Sequence, residues 1–158
     1  MLDIAEFNAK VEGVLSRNLD TTIEAIKQNM ARNNQVVTGK TQNSLRKEVD
    51  GSEGAIIGLD HIDTLELGIS PQRSQMESWV TTWNGLFKWY DAKFSFSDIQ
   101  IRSKLATSAT SNQKEKGSVL FRKLQGGRQG NVYSNEIQPL SDRIMNEISD
   151  IFINTKIL

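Results

Sequence analysis

Residues 3–33 carry a stripe that any fold of this chain must accommodate. Ile4, Phe7, Val11, Val14, Leu15, Thr22, Ile23, Ile26 and Met30 recur at helical spacing, with charged residues on the opposite side. Asp3-Ile4-Ala5-Glu6 has the form of a capping box, and Asn33-Asn34 is a stop. Gly13 costs such a helix roughly 1 kcal/mol relative to alanine. At a rise of 1.5 Å per residue the helix is about 45 Å long. That is long for one domain of 158 residues. It either lies along a sheet or extends to reach a neighbouring molecule.

Three strands are expected after it. In Ser44–Val49, Leu45 and Val49 alternate with Arg46 and Glu48, and Asp50-Gly51-Ser52-Glu53 supplies the turn. Gly54–Leu59 follows, with Ala55, Ile57 and Leu59 on one face, and Asp60-His61 turns the chain into Ile62–Leu67. Antiparallel meander order is the economical pairing. The stretch Thr64–Val80 then reads as a strand end, a Gly68-to-Pro71 turn and a helix over 74–92 opened by the capping box Ser74-Gln75-Met76-Glu77.

That second helix holds all three tryptophans, Trp79, Trp83 and Trp89. Trp79 and Trp83 share a face with Met76 and Phe87 and are expected to anchor the core, while Trp89 and Tyr90 are free to meet a partner. A third helix over 98–116 follows the box Ser97-Asp98-Ile99-Gln100, with Ile101, Leu105 and Ala109 as its buried line and Gly117 as its stop. The Ser/Thr-rich stretch 107–118 and the glycine-rich stretch 125–133 are expected to be mobile in the free protein and ordered on assembly. A last helix from about Asn135 to Asn154 carries Ile137, Leu140, Ile144, Met145, Ile148, Ile151 and Phe152 and is expected to close the core of a single domain spanning 1–158.

Composition narrows the function. Nineteen basic and nineteen acidic residues balance, but unevenly: 1–68 is net −4 and 98–133 is net +5. The basic tract, Arg102, Lys104, Lys114, Lys116, Arg122, Lys123 and Arg128, suits either the acidic part of a neighbouring subunit or nucleic acid. The chain has no cysteine, which excludes disulfides and thiolate metal sites. The N-terminus shows no secretory pattern and no run spans a bilayer, so a soluble protein without a membrane partner is expected. Gly39-Lys40-Thr41 ends like a phosphate-binding loop, but the first glycine of that motif would fall at Asn34 and a helix precedes it. His61 is the lone histidine and reads as a turn residue. No nucleophile, base and orienting group form a set, so no enzyme activity and no catalytic, cofactor or metal residue is expected.

Four stretches carry a resemblance. Thr38-Gly39-Lys40-Thr41-Gln42-Asn43-Ser44 follows the long helix; Leu65-Glu66-Leu67-Gly68 precedes a turn; Pro71 is followed by Met76, Trp79 and Val80; and Lys116-Gly117-Ser118 is followed by Gly126-Gly127 and Val132-Tyr133-Ser134. Together these resemble the tail-completion and neck (head–tail connector) proteins of tailed bacteriophages. The resemblance implies an α+β fold: a long N-terminal helix on a small antiparallel sheet, with additional helices and a C-terminal helix. It also implies a virion subunit, assembled in the host cytoplasm, that closes into a ring between portal and tail, expected to be six-fold or twelve-fold. Neighbouring portal, neck or tail proteins would be its partners, and DNA would pass through the lumen without sequence-specific binding. Candidate subunit-interface residues are Trp89, Tyr90, Arg122, Lys123, Arg128 and Tyr133. The alternative is a nucleic-acid-binding protein that uses the basic 102–128 tract.

Overall fold

The structure is a computed structural model, and it describes residues 3–36, 38–126 and 132–154. The fold is α+β: a long N-terminal helix, a small antiparallel sheet, and further helices ending in a C-terminal one. In chain order the elements are α1 (Ile4–Arg32), α2 (Lys40–Ser44), β1 (Arg46–Asp50), β2 (Glu53–Ile57), α3 (Ile62–Leu67), α4 (Pro71–Met76), α5 (Trp79–Phe94), α6 (Ile99–Lys116), α7 (Val119–Gln125) and α8 (Ser134–Asn154). They form two compact units. One is built from α1, α2, the β-hairpin and α8, the other from α3 to α7.

In the first unit α1 is packed on by both the hairpin and α8. Its buried line is Val11, Val14, Leu15, Asn18, Leu19, Thr22, Ile23, Ile26 and Met30, the expected stripe with Asn18 and Leu19 added and its first turn left out. Ile4 is exposed, and the Asp3 side chain makes no capping bond. The hairpin pairs Arg46 with Ile57 through Asp50 with Glu53, around Gly51 at φ 58°. An isolated two-stranded hairpin is marginal in water, so the cover given by α1 is what stabilises it.

That cover reverses the expected face of β2. Lys47 and Val49 of β1 stand opposite Ile56 and Gly54. A Cβ on Gly54 would lie 2.9 Å from Leu19 Cδ1 and 3.8 Å from Leu15 Cβ. Gly54 and Ile56 therefore face α1, and Ala55 and Ile57 point away. The alternation of apolar side chains misled because the inward position closest to the helix has no side chain. Lys47 extends along the inward face to α1, where its ammonium donates to Ser16 Oγ at 2.6 Å and pairs with Asp20.

A polar cluster joins α8 to α1 beside the hairpin-facing leucines. Asn18 Nδ2 donates to Glu147 Oε1 at 2.9 Å, and Asn18 Oδ1 accepts from Arg143 Nε at 3.1 Å. Arg143 also donates to Thr22 Oγ1 at 2.8 Å, and Arg17 pairs with Glu147 Oε2 at 2.9 Å. Leu140, Ile144, Ile148 and Ile151 lie on the same side of α8 at half-buried positions. No residue of α8 is fully buried, so it forms an outer layer.

The expected third strand is a helix. Residues 62–67 form α3, and Glu66, placed outward by strand alternation, is buried while Leu67 is exposed. Four alternating residues are too few to separate a strand from one helical turn. The expected helix over 74–92 is also broken. Ser70 caps α4, with Pro71 in its first turn, and Ser78 caps α5 by accepting from Thr81 N. Ser74, read as a cap, is instead buried inside α4. The third helix keeps its expected extent and Gly117 stop, but its cap is Asp98, and Ala106 and Thr110 are its buried residues rather than Ile101, Leu105 and Ala109. Residues 107–116 continue α6 as regular helix, 119–125 form α7, and 127–131 lie outside the described residues.

Two expected outcomes come from the first unit. Gly54→Val should destabilise it by ~1–3 kcal/mol by forcing the hairpin off α1, measured by urea denaturation against the parent. Separately, the hydrogen bonds from Asn18 and Arg17 hold the Glu147 carboxyl below its ordinary value of 4.5. A depressed folded-state pKa means that its contribution is complete above that value and is lost as pH falls through the folded one. Glu147→Gln should therefore lower stability near neutrality, with the difference from the parent shrinking steadily below pH about 4.5; a pH-independent difference would show that the charge is not involved.

Candidate functional site

The second unit has an inverted interior. Its fully buried side chains are small or polar, namely Glu66, Ser74, Thr82, Ala106 and Thr110, while its large apolar residues are either half-buried, as Trp83, Phe87 and Phe121 are, or exposed. Met76 is 88% exposed and Trp79 44%. Trp79 is thus not the expected core anchor. It stacks over Trp83 at 6.5 Å, and Trp83 stacks on Phe87 at 5.0 Å and donates through Nε1 to Thr107 Oγ1 at 3.1 Å. Only Trp83 and Phe87 of the expected four sit at the α5–α6 contact.

Trp89 and Tyr90 are brought together with two phenylalanines at the end of α5. Trp89 meets Tyr90 edge-on at 5.2 Å and Phe94 at 5.7 Å, Tyr90 stacks on Phe94 at 6.0 Å, and Phe94 lies 5.5 Å from Phe96. Trp89 is 39% exposed, Phe94 is 51% exposed, and Tyr90 is half-buried. Ile99 and Ile101, at the start of α6, are exposed as well. Phe94 and Phe96 complete an aromatic cluster of which only two members stood out in the sequence. The missing signal was the tight return at Ser95, whose φ of 48° reverses the chain so that α6 starts beside the end of α5.

Arg122 and Lys123 are exposed on α7, three and four residues beyond exposed Val119 and therefore on its face. The base of α7 is fixed by one hydroxyl. Ser118 Oγ accepts from Ile69 N at 2.9 Å and from Phe121 N at 3.2 Å, while Ser118 N donates to Ile69 O at 2.8 Å. A Cβ on Gly68 would sit 2.4 Å from Phe121 N, and one on Gly117 would sit 2.8 Å from Ile69 O. Both glycines have positive φ, 71° and 79°. Leu65-Glu66-Leu67-Gly68 and Lys116-Gly117-Ser118, separate in sequence, thus form one close contact.

The rest of the basic tract is largely engaged within its unit. Arg102 pairs with Asp91 and lies 5.1 Å over the Phe87 ring. Lys114 donates to the Ser74 and Glu77 carbonyls, which end α4, and Lys116 is 3.8 Å from Glu115. Lys104 is exposed. Arg128 lies outside the described residues. Tyr133, half-buried in the first unit, accepts from Glu136 N just before α8. His61 sits in the turn before α3. Among the described residues no acidic, histidine or cysteine cluster has metal-holding geometry, and no helix is long and apolar enough to cross a membrane.

Comparison with protein-family models, with curated proteins and with solved structures gives no match.

The two aromatic positions separate in their expected cost. Trp79→Ala should lower stability by about 1 kcal/mol, the scale of one exposed aromatic pair, whereas Trp83→Ala should cost roughly 2–4 kcal/mol by opening the α5–α6 contact and leaving Thr107 without its donor. Equal or reversed losses in denaturant titrations would contradict the assignment.

Proposed function

We propose that this chain is a structural subunit of a tailed-bacteriophage virion, closing into a ring in the neck or tail-completion region that joins portal to tail and lets DNA pass. The observation that carries the reading is the inverted second unit. A helical unit that fully buries serine and threonine while holding Trp79, Trp89 and Phe94 at its surface leaves apolar area to be buried by association. The resemblance adds support, because two of its stretches meet at Gly68, Gly117 and Ser118 and set the direction of a cationic helix face.

In this reading identical subunits join head-to-tail through heterologous contacts that close by rotation. The subunit is structural rather than catalytic, and DNA is a passing cargo. Arg122 and Lys123 meet acidic surface on an adjacent subunit, and Trp89, Tyr90 and Tyr133 are further candidates for burial in the ring.

Electron micrographs of concentrated purified protein, and of particles carrying it, should show closed rings of six or twelve copies. A single copy per particle, or a position outside the neck and tail, would overturn the proposal. Arg122→Glu with Lys123→Glu should impair ring formation while the far-ultraviolet circular dichroism stays unchanged. Assembly of the parent should weaken as the Debye length shrinks below ~10 Å above 0.1 M salt. If the double variant assembles normally but loses DNA retention that falls steeply with salt, the nucleic-acid reading replaces the ring.

A further inference from the structure

One edge of β2 is open. Among the described residues the sheet holds β1 and β2 alone. The two-residue turn at Gly51-Ser52 makes Asp50 and Glu53 a hydrogen-bonded pair. Such pairs alternate along an antiparallel ladder, so Gly54 and Ile56 turn their N–H and C=O groups away from β1. Gly54 is exposed even though Leu19 and Leu15 lie against it. A glycine has only backbone to expose, so this exposure is that of the edge itself. β2 carries one charged residue in five and β1 carries four. Charged side chains are a device that keeps an edge from pairing, and β2 lacks it.

α8 stands beside that edge. Around α1, Ser16 and Asp20 meet Lys47 of β1, Leu15 and Leu19 meet β2, and Asn18, Thr22 and Asn29 meet α8. α8 therefore lies on the β2 side of α1. Asn29 bonds Glu136 while Arg17 pairs with Glu147, so the two helices run antiparallel. Ile137, Ile144 and Ile148 each follow a residue that touches α1, about 100° further round the helix. With both helices right-handed and antiparallel, that step turns them to the side on which the sheet lies. Ile137 is 59% exposed, and Ile144 and Ile148 are half-buried. An apolar flank thus extends past the last strand. On the other face of the hairpin, Asp50 and Glu53 stand directly opposite each other, both exposed. Like charges so placed are unfavourable, and the nearest cations of β1 are engaged, Arg46 with Glu48 and Lys47 with Asp20.

We propose that the β2 edge takes an extended segment of another polypeptide as a third, antiparallel strand beneath α8, apolar at alternate positions and cationic between them. Its apolar residues pair with Gly54 and Ile56 and lie under Ile144 and Ile148. Its lysines or arginines lie on the opposite face, beside Glu53. A second copy cannot offer its own β2 here. Pairing edge to edge about a two-fold axis would bring its α1 about 10 Å from the first, two strand spacings away, where α8 already stands. The surface goes beyond the ring reading and does not depend on it.

A labelled peptide tests this, Lys-Ile-Lys-Val-Lys-Ile-Lys with acetyl and amide ends, followed by fluorescence anisotropy at moderate salt. The parent should bind it, and amide hydrogen exchange at Gly54 and Ile56 should slow in the complex. N-methylation of the isoleucine and valine amides, which the pairing uses, should weaken binding at least roughly tenfold, and N-methylation of the lysine amides should leave it unchanged. Serine in place of the apolar residues should weaken it as much. Glu53→Lys, at an exposed position, should lower affinity for this peptide and raise it for the one with glutamate replacing lysine. Binding that ignores which amides are methylated, or that leaves Gly54 and Ile56 exchanging as in the free protein, would reduce the contact to charge attraction and overturn the proposal. No binding to the parent would overturn it too. Slowing at the same two amides when the protein alone is concentrated would assign the edge to a second copy and overturn the choice of partner.

Discussion

The first unit depends on the distance of closest approach between α1 and the hairpin. Leu15 and Leu19 can lie against β2 because position 54 is glycine. The backbone of the strand, rather than a side chain, is the surface on which the helix rests. A two-stranded sheet has too little area to hold itself together, so this approach also fixes where the hairpin stands. Lys47 follows from the same geometry: lying inward, it extends its stem along the helix and ends on Ser16 and Asp20 at the rim.

The second unit obeys a different economy. Its order comes from caps and close backbone approaches more than from a greasy interior. Serines 70, 78 and 118 and Asp98 each accept amide bonds at the start of a helix. Lys114 takes up carbonyls at the end of α4, and Ser118 ties α7 to the loop after α3. Such devices specify geometry, each at about 1 kcal/mol, but contribute little of the driving force that burial supplies. Several of the apolar side chains that would ordinarily provide it, Trp79, Trp89 and Phe94 among them, are at the surface.

This contrast explains which parts of the molecule were legible in the sequence. The helices α1 and α8 were readable because their stripes run for many turns, and the first turn of the hairpin because Asp50-Gly51 has few other uses. The inward face of β2 was hidden by glycine, which leaves no hydrophobic mark. The anchoring role expected of Trp79 and the buried line expected of α6 failed for a shared reason. Periodicity reveals a face but not whether that face turns inward, and in this unit several apolar faces turn outward. Trp89 and Tyr90 were recognisable as neighbours from their adjacency and Phe94 follows one turn later, but Phe96 joined them only through the return at Ser95. The Ser118–Ile69 contact spans 49 residues and has no local signature.

The Asn18 cluster gives the pairing of α1 and α8 a fixed stop. The aliphatic residues facing one another on the two helices repeat along their length. Sliding α8 by one turn, about 5.4 Å, would exchange one isoleucine contact for another at small cost. Arg143 and Glu147 have no such substitutes. After the slide they would lose Asn18, Thr22 and Arg17 together, and the half-buried guanidinium would be left without an acceptor. The oily surface therefore holds the two helices side by side, and the polar contacts of Asn18, Thr22, Arg17 and Asn29 determine how far along one another they can travel.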